Sequence, residues 1–181
     1  VKGDDYRTIN WKASARRHEL MVNLYQDERS QQIYNVSDKG RIMQQAFRGM
    51  TLLDYAVNAS LVLSYVAMRK DDKTGLVTFD EHFDTFVPAS KQPGHMQTLL
   101  ENLYSQQTTF GETDFSALCV HLNKHVSKRS LLVLYTNFSS MGSMNRQLAY
   151  LKQLNRQHRL LAVCFEDADL NEYIANPARH T

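Results

Sequence analysis

The sequence predicts one α/β domain in which a mostly parallel central sheet lies between helices on both faces. Three observations carry that expectation. Residues 32–41, Gln-Ile-Tyr-Asn-Val-Ser-Asp-Lys-Gly-Arg, read as a strand ending in an Asp-x-Gly loop, and the apolar segment 52–68 follows at once as a helix. Strand, loop and helix in that order open a doubly wound sheet, where ligands collect at the ends of strands. Residues 130–136, Ser-Leu-Leu-Val-Leu-Tyr-Thr, form a continuous apolar run, as a strand covered on both faces does. A helix from about Ser143 and a further strand over 159–165 continue the alternation.

The totals agree. A chain of 181 residues suits one domain, since chains of this size bury roughly 70% of their unfolded surface. A net charge of +2 supplies no general argument for nucleic acid or a membrane surface. Cys119 and Cys164 lie inside apolar patterns and form no disulfide framework, which points to a reducing compartment. No apolar run reaches the length of about 18 residues that a membrane-crossing helix needs. Residues 1–5 form no signal peptide and lack an initiator Met. The chain is therefore expected to be a fragment of a longer protein.

In order, residues 4–18 mix charges with the single Trp, and Trp11 and Ile9 are expected to pin this segment to the domain. Basic residues cluster at Lys12, Arg16 and Arg17, but one aromatic is too few for a stacking surface on nucleic acid. Residues 20–26 alternate as a half-buried strand, with Leu20, Val22 and Leu24 on one face. Gly40 marks the turn after the next strand, because glycine alone enters positive φ without steric cost. Thr51 is a natural N-cap for the helix 52–68, and Asp54 completes a capping box. Leu53, Val57, Leu61 and Ser64 form its stripe, widened by Ala56, Leu63, Val66 and Ala67, so the helix is expected to be buried between the sheet and its neighbours. Residues 75–80 and 83–87 read as two strands joined at Glu81-His82. Pro93-Gly94 opens a second helix with Met96, Leu99, Leu100 and Leu103 inward. A third carries Phe115, Leu118, Cys119, Leu122 and Val126, a fourth Leu148, Leu151 and Leu154, and residues 170–175 a short fifth.

Residues 3–16, Gly-Asp-Asp-Tyr-Arg-Thr-Ile-Asn-Trp-Lys-Ala-Ser-Ala-Arg, resemble the signature of the bacterial domain of unknown function 58, with Asp4, Asp5, Arg7, Asn10, Trp11 and Arg16 as its marked positions. Glu19-Leu20-Met21-Val22 and Glu28-Arg29 continue it. The remainder resembles that family's von Willebrand factor A-like domain: Asp38 after the first strand, Gly75 to Phe79 as the second, and Gly111-Glu112-Thr113 before the third helix. The resemblance implies a three-layer von Willebrand factor A-like (Rossmann-like) fold, with residues 1–30 as signature segment and leading strand and 31–181 as the domain proper. It also implies a larger, membrane-anchored bacterial protein whose anchor lies outside this chain, with this soluble domain on the cytoplasmic side. The implied partner is a MoxR-type AAA+ ATPase, often encoded beside such proteins, which this family partners or regulates.

Von Willebrand A domains hold a divalent metal through Asp-x-Ser-x-Ser, a Thr and a second Asp. Carried over by position, the first Asp is Asp38 and the Thr is Thr113, while the two serines become Gly40 and Ile42 and the second Asp becomes Asn137. A hard cation wants about six oxygen ligands, several of them anionic. One carboxylate remains, and Lys39 and Arg41 bring positive charge into the same loop, so a metal-free site is expected and Mg2+ is disfavoured. Either Lys39 or Arg41 sets its own cation near Asp38, or both point to solvent. Three loops, 38–50, 108–114 and 137–143, are expected to meet at one sheet edge. They offer Lys39, Arg41, Phe47 and Arg48 on one side and Phe138, Met141 and Met144 on the other, with Phe47 and Phe138 either exposed or turned inward.

Other chemistry is thin. His121 and His125 stand at i,i+4 but lack a third ligand, so two surface histidines are expected. Asp80, Glu81 and Asp84 read as a solvated hairpin tip. The sequence holds no Gly-x-Ser-x-Gly elbow, phosphate-binding glycine loop or Cys-x-x-Cys. The expectation is a non-catalytic protein-binding module. The alternatives are a working metal-dependent adhesion module using Asp38, Thr113 and Asp114, or an enzyme with an unrecognised site at the same loops.

Overall fold

A computed structural model of the chain describes residues 30–165. The signature segment 4–18 with Asp4, Asp5, Arg7, Asn10, Trp11 and Arg16, the strand expected over 20–26 and the helix expected over 170–175 lie outside the described residues. The described chain runs β1 (Gln32–Asp38), a 3-10 turn (Arg41–Gln44), β2 (Ala46–Phe47), β3 (Met50–Thr51), α1 (Leu52–Arg69), β4 (Lys73–Phe79) and β5 (Phe83–Ser90). It continues through α2 (His95–Tyr104), α3 (Phe115–His125), β6 (Leu131–Tyr135), α4 (Met141–Gln157) and β7 (Arg159–Val163).

The main sheet has the order β5-β4-β1-β6-β7. Among the described residues the pairs β4–β1, β1–β6 and β6–β7 are parallel, and only the β4–β5 hairpin of this sheet is antiparallel. Its core splits at the sheet plane, because successive side chains on a strand point to opposite faces. Ile33 belongs with Leu53, Ala56, Val57, Leu99 and Leu103 of α1 and α2. Tyr34 and Val36 belong with Phe115, Leu118, Cys119, Leu122 and Leu154 of α3 and α4. These are the three layers that the sequence implies, and the five expected inward positions Phe115, Leu118, Cys119, Leu122 and Val126 are all buried.

Helix α1 begins as expected. The Thr51 hydroxyl accepts from the Asp54 backbone N–H, while the Asp54 carboxylate accepts from the Thr51 backbone N–H. Its burial differs from the expectation. Val62, Tyr65 and Val66 are exposed, at 64%, 53% and 44%. The buried side carries small residues instead: Ala56, Ser60, Ser64 and Ala67. Small side chains let α1 lie close on β1, where the Asn35 amide donates to Ser64 Oγ at 2.9 Å and the Tyr135 hydroxyl donates to Asn35 Oδ1 at 3.3 Å. A buried amide needs such partners, so part of the α1 contact is polar where the pattern suggested only apolar packing.

Candidate functional site at the carboxyl edge of the sheet

Strands β1 and β6 are parallel neighbours, so the loops that follow them leave at the same edge. Residues 109–114 join them there through three backbone bonds: Arg41 N–H to the Gly111 carbonyl, Thr109 N–H to the Lys39 carbonyl and Asp114 N–H to the Asp80 carbonyl. The expected meeting of three loops is found. Between them opens a cleft of about 540 Å³ lined by residues of all three, among them Asp38, Arg41, Thr113, Asn137 and Phe138, and by Arg146 of α4.

Asp38 forms the floor and is fully buried. Its Oδ1 accepts from the Thr113 hydroxyl at 2.7 Å and from the Gly40 N–H at 2.8 Å, and its Oδ2 accepts from the Thr136 hydroxyl at 2.6 Å. Burial pushes the Asp38 carboxyl above its ordinary range. The bonds from Thr136, Thr113 and Gly40 act against that rise, and the nearby charge of Asp80 adds to it. Desolvation wins because it penalises the whole charge, whereas each bond returns part of its hydration.

Gly40 does not take the positive φ expected of it. Its φ is −61° and its ψ 170°, an extended conformation open to any residue. Glycine is required here by space: a Cβ would fall onto the Thr113 hydroxyl and come within 3.1 Å of Asp38 Oδ1. Positive φ occurs instead at Arg48 (47°) and Gly49 (86°), the two central residues of the β2–β3 hairpin, as a tight turn of the I′ type demands. Arg48 thus sits at a hairpin tip with its guanidinium 5.1 Å from the Phe47 ring, and it does not line the cleft.

Lys39 fits neither expected placement. Alternation along the strand sends it away from Asp38, and its buried ammonium donates to Asp84 Oδ2 at 2.7 Å with Asp80 Oδ2 at 3.9 Å. That bond holds the Asp84 carboxyl below the ordinary range. The hairpin tip is consequently less solvated than expected, with Asp80 buried and its Oδ1 accepting from the His82 N–H. Arg41 does face solvent, with Glu112 at 3.7 Å; the two side chains are 68% and 89% exposed. Asp114 caps α3, accepting from the N–H groups of Ser116 and Ala117, and is not among the cleft residues. The Asn137 side chain accepts from the Phe138 N–H.

Phe138 turns partly inward, stacked on Phe115 with centroids 6.1 Å apart. Phe47 packs against Tyr55 of α1. His121 and His125 both stack on Phe83, at 4.5 and 5.7 Å. Among the described residues no group of three His, Cys, Asp or Glu is placed to hold a metal ion.

Sequence reasoning missed Thr136 and Arg146. Thr136 closes an otherwise apolar strand, and a hydroxyl at the end of a buried run was its available signal. Arg146 left no signal beyond lying one turn into a helix that starts at the edge. Phe110, 85% exposed, precedes the lining residue Gly111, and Met141, 69% exposed, starts α4 between the lining residues Ser139 and Ser143.

A profile of the family described as "Protein of unknown function DUF58" matches residues 1–172. Among solved structures, the chain is similar to an aerotolerance-related membrane protein from Bacteroides fragilis NCTC 9343, with 13% identity and a TM-score of 0.56 over 74% of this chain and 66% of that one. It is similar as well to the conserved hypothetical protein BatB from Bacteroides thetaiotaomicron, with 12% identity and a TM-score of 0.52 over 74% and 65%. A further similarity is to the SpRpn10 VWA domain, with 8% identity and a TM-score of 0.46 over 83% and 96%. The chain thus spans just under two thirds of the two Bacteroides chains. No curated protein matches it. The two Bacteroides chains share this arrangement of layers and strands.

Proposed function

The chain belongs to the DUF58 family, and on that premise we propose that it is the non-catalytic, protein-binding module of a larger bacterial protein, with the cleft at the carboxyl edge as its docking site. The observation that carries this reading is the rim. Phe110 and Met141 are large apolar side chains left exposed at 85% and 69% on two of the loops that line the cleft, and exposed Arg41 lines it from the loop after β1. Aromatic and arginine anchors dominate the binding energy of protein interfaces. Among the described residues no His or Cys lines the cleft, and its buried acid has both oxygens engaged, which supports a binding role over a catalytic one.

The residues present do not fit a divalent cation. Gly40 and Ile42 stand where two hydroxyl ligands are needed and Asn137 where a second carboxylate is. Asp38 is fully buried beneath the hydroxyls of Thr113 and Thr136. The adhesion site is degenerate in this reading, and docking is independent of metal.

The partner we assign is a MoxR-type AAA+ ATPase encoded beside the full-length protein, which this domain meets on the cytoplasmic side of the membrane. Among the described residues no helix is long and apolar enough to cross a membrane, so the anchor belongs to other segments. The test is a binding titration of that ATPase against Phe110→Ala combined with Met141→Ala. Both side chains are exposed, so the melting temperature should hold while affinity falls by roughly tenfold or more. Unchanged affinity moves the interface to another face.

A further inference from the structure

With the metal position unable to supply a cation, the positive charge at the cleft comes from the protein. We infer that the cleft captures an acidic side chain from a peptide segment of its partner, held by Arg41 and Arg146 without any metal. This deepens the docking reading above and rests on it.

Four observations converge. Arg41, from the loop after β1, and Arg146, from the second turn of α4, line the same cleft. Both are exposed, and Arg146 has no carboxylate partner among the described residues. The pairing of Arg41 with Glu112 is long at 3.7 Å and open to water on both sides, so it is easily exchanged for a better partner. Asp38, the one acid of the floor, is fully buried and its oxygens are taken up by hydrogen bonds from Thr113, Gly40 and Thr136, so it pairs with neither guanidinium.

The ligand's chemistry follows from the fork of the guanidinium, which matches the two oxygens of a carboxylate. Around that anchor the lining includes Gln44, Gln147, Ser139 and Ser143, uncharged hydrogen-bonding groups, with Phe138 as an apolar wall and Glu112 as the exposed acid that the ligand's carboxylate displaces from Arg41. A cleft of about 540 Å³ holds one or two side chains of a peptide, within the size of small-ligand sites generally. An acidic residue with an apolar neighbour is the segment that fits.

The experiment pans a random-peptide phage library against the domain in EDTA and low salt, then measures the enriched peptide by fluorescence polarisation. Enriched sequences should share an Asp or Glu beside an apolar residue. Replacing that acid by its amide, or making Arg41→Gln with Arg146→Gln, should weaken binding by roughly tenfold or more, the scale of one lost charge-assisted hydrogen bond. Arg156→Gln, in the last turn of α4 outside the cleft, should leave affinity unchanged. Enrichment of peptides with no shared acid, no enrichment, equal binding to the double-arginine variant, or binding that appears only with Mg2+ would each overturn the inference. An ATPase that still binds the double-arginine variant but loses the Phe110→Ala, Met141→Ala variant leaves the docking reading standing and removes only the acidic anchor.

Discussion

Substituting Gly40 by alanine separates two reasons for a glycine. If backbone freedom were the reason, the observed φ of −61° would make alanine harmless. It would even stabilise the fold by about 0.4–1 kcal/mol through a less flexible unfolded chain. If space is the reason, the new methyl lands on the Thr113 hydroxyl and within 3.1 and 3.4 Å of Asp38 Oδ1 and the Gly111 carbonyl. The backbone there is tied to Gly111 by the Arg41 N–H, so the Thr113 side chain is what gives. Losing its 2.7 Å bond strips a donor from a buried carboxylate, which costs about 1–3 kcal/mol, and residual crowding adds to that. The expected net destabilisation is about 2–3 kcal/mol. In urea this moves the midpoint by about 1 M for a typical dependence on denaturant. The decisive arm repeats Gly40→Ala in a Thr113→Ala background, where the obstructing hydroxyl is gone and the added methyl should cost less than about 0.5 kcal/mol. Gly40→Ala that stabilises the protein refutes the steric account. Equal cost in both backgrounds shows that Thr113 is not the obstruction.

Two further outcomes follow from the same edge. The melting temperature should be the same in chelator and in millimolar Mg2+ or Mn2+, because a specific site at a hundred times Kd would add about 2.7 kcal/mol; a clear upward shift restores the metal. Asp84→Asn should destabilise by about 1–2 kcal/mol, less than for a fully buried pair because Asp84 is half exposed. Lys39 lowers the Asp84 pKa, so this stabilisation is present above the unfolded carboxylate pKa of about 3.9 and is lost as pH falls through the lowered value. The variant should therefore lose less stability than the parent between about pH 4 and the onset of acid unfolding, and parallel curves in acid titrations would exclude the pair.

The elements were legible because local chemistry and tertiary packing agree in them. Thr51 and Asp54 cap α1 as their spacing demands, and the apolar run 131–135 is an interior strand, β6, as its two covered faces require. The site was legible only in part. Asp38 and Thr113 meet as the resemblance implied, but spacing in sequence does not say which way a side chain leaves a strand, and Lys39 left it opposite to Asp38. Gly40 shows a second limit: a glycine imposed by Thr113, far along the chain, looks the same in sequence as one imposed by its own backbone. For α1, apolar residues all round suggested burial all round, yet Val62 and Val66 face outward while serines face the sheet.

The hydrogen bonds on Asp38 also bear on how the site comes into being. Its two hydroxyl donors lie 75 and 98 residues along the chain, at Thr113 and Thr136. Closing loops of that length costs entropy before any contact repays it. Thr136 reaches Asp38 only once β6 has aligned beside β1 at the middle of the sheet. The cleft therefore has no existence apart from the folded sheet: it assembles with the pairing of β1 and β6 and dissolves when that pairing is lost, so binding competence and folding of the sheet rise and fall together.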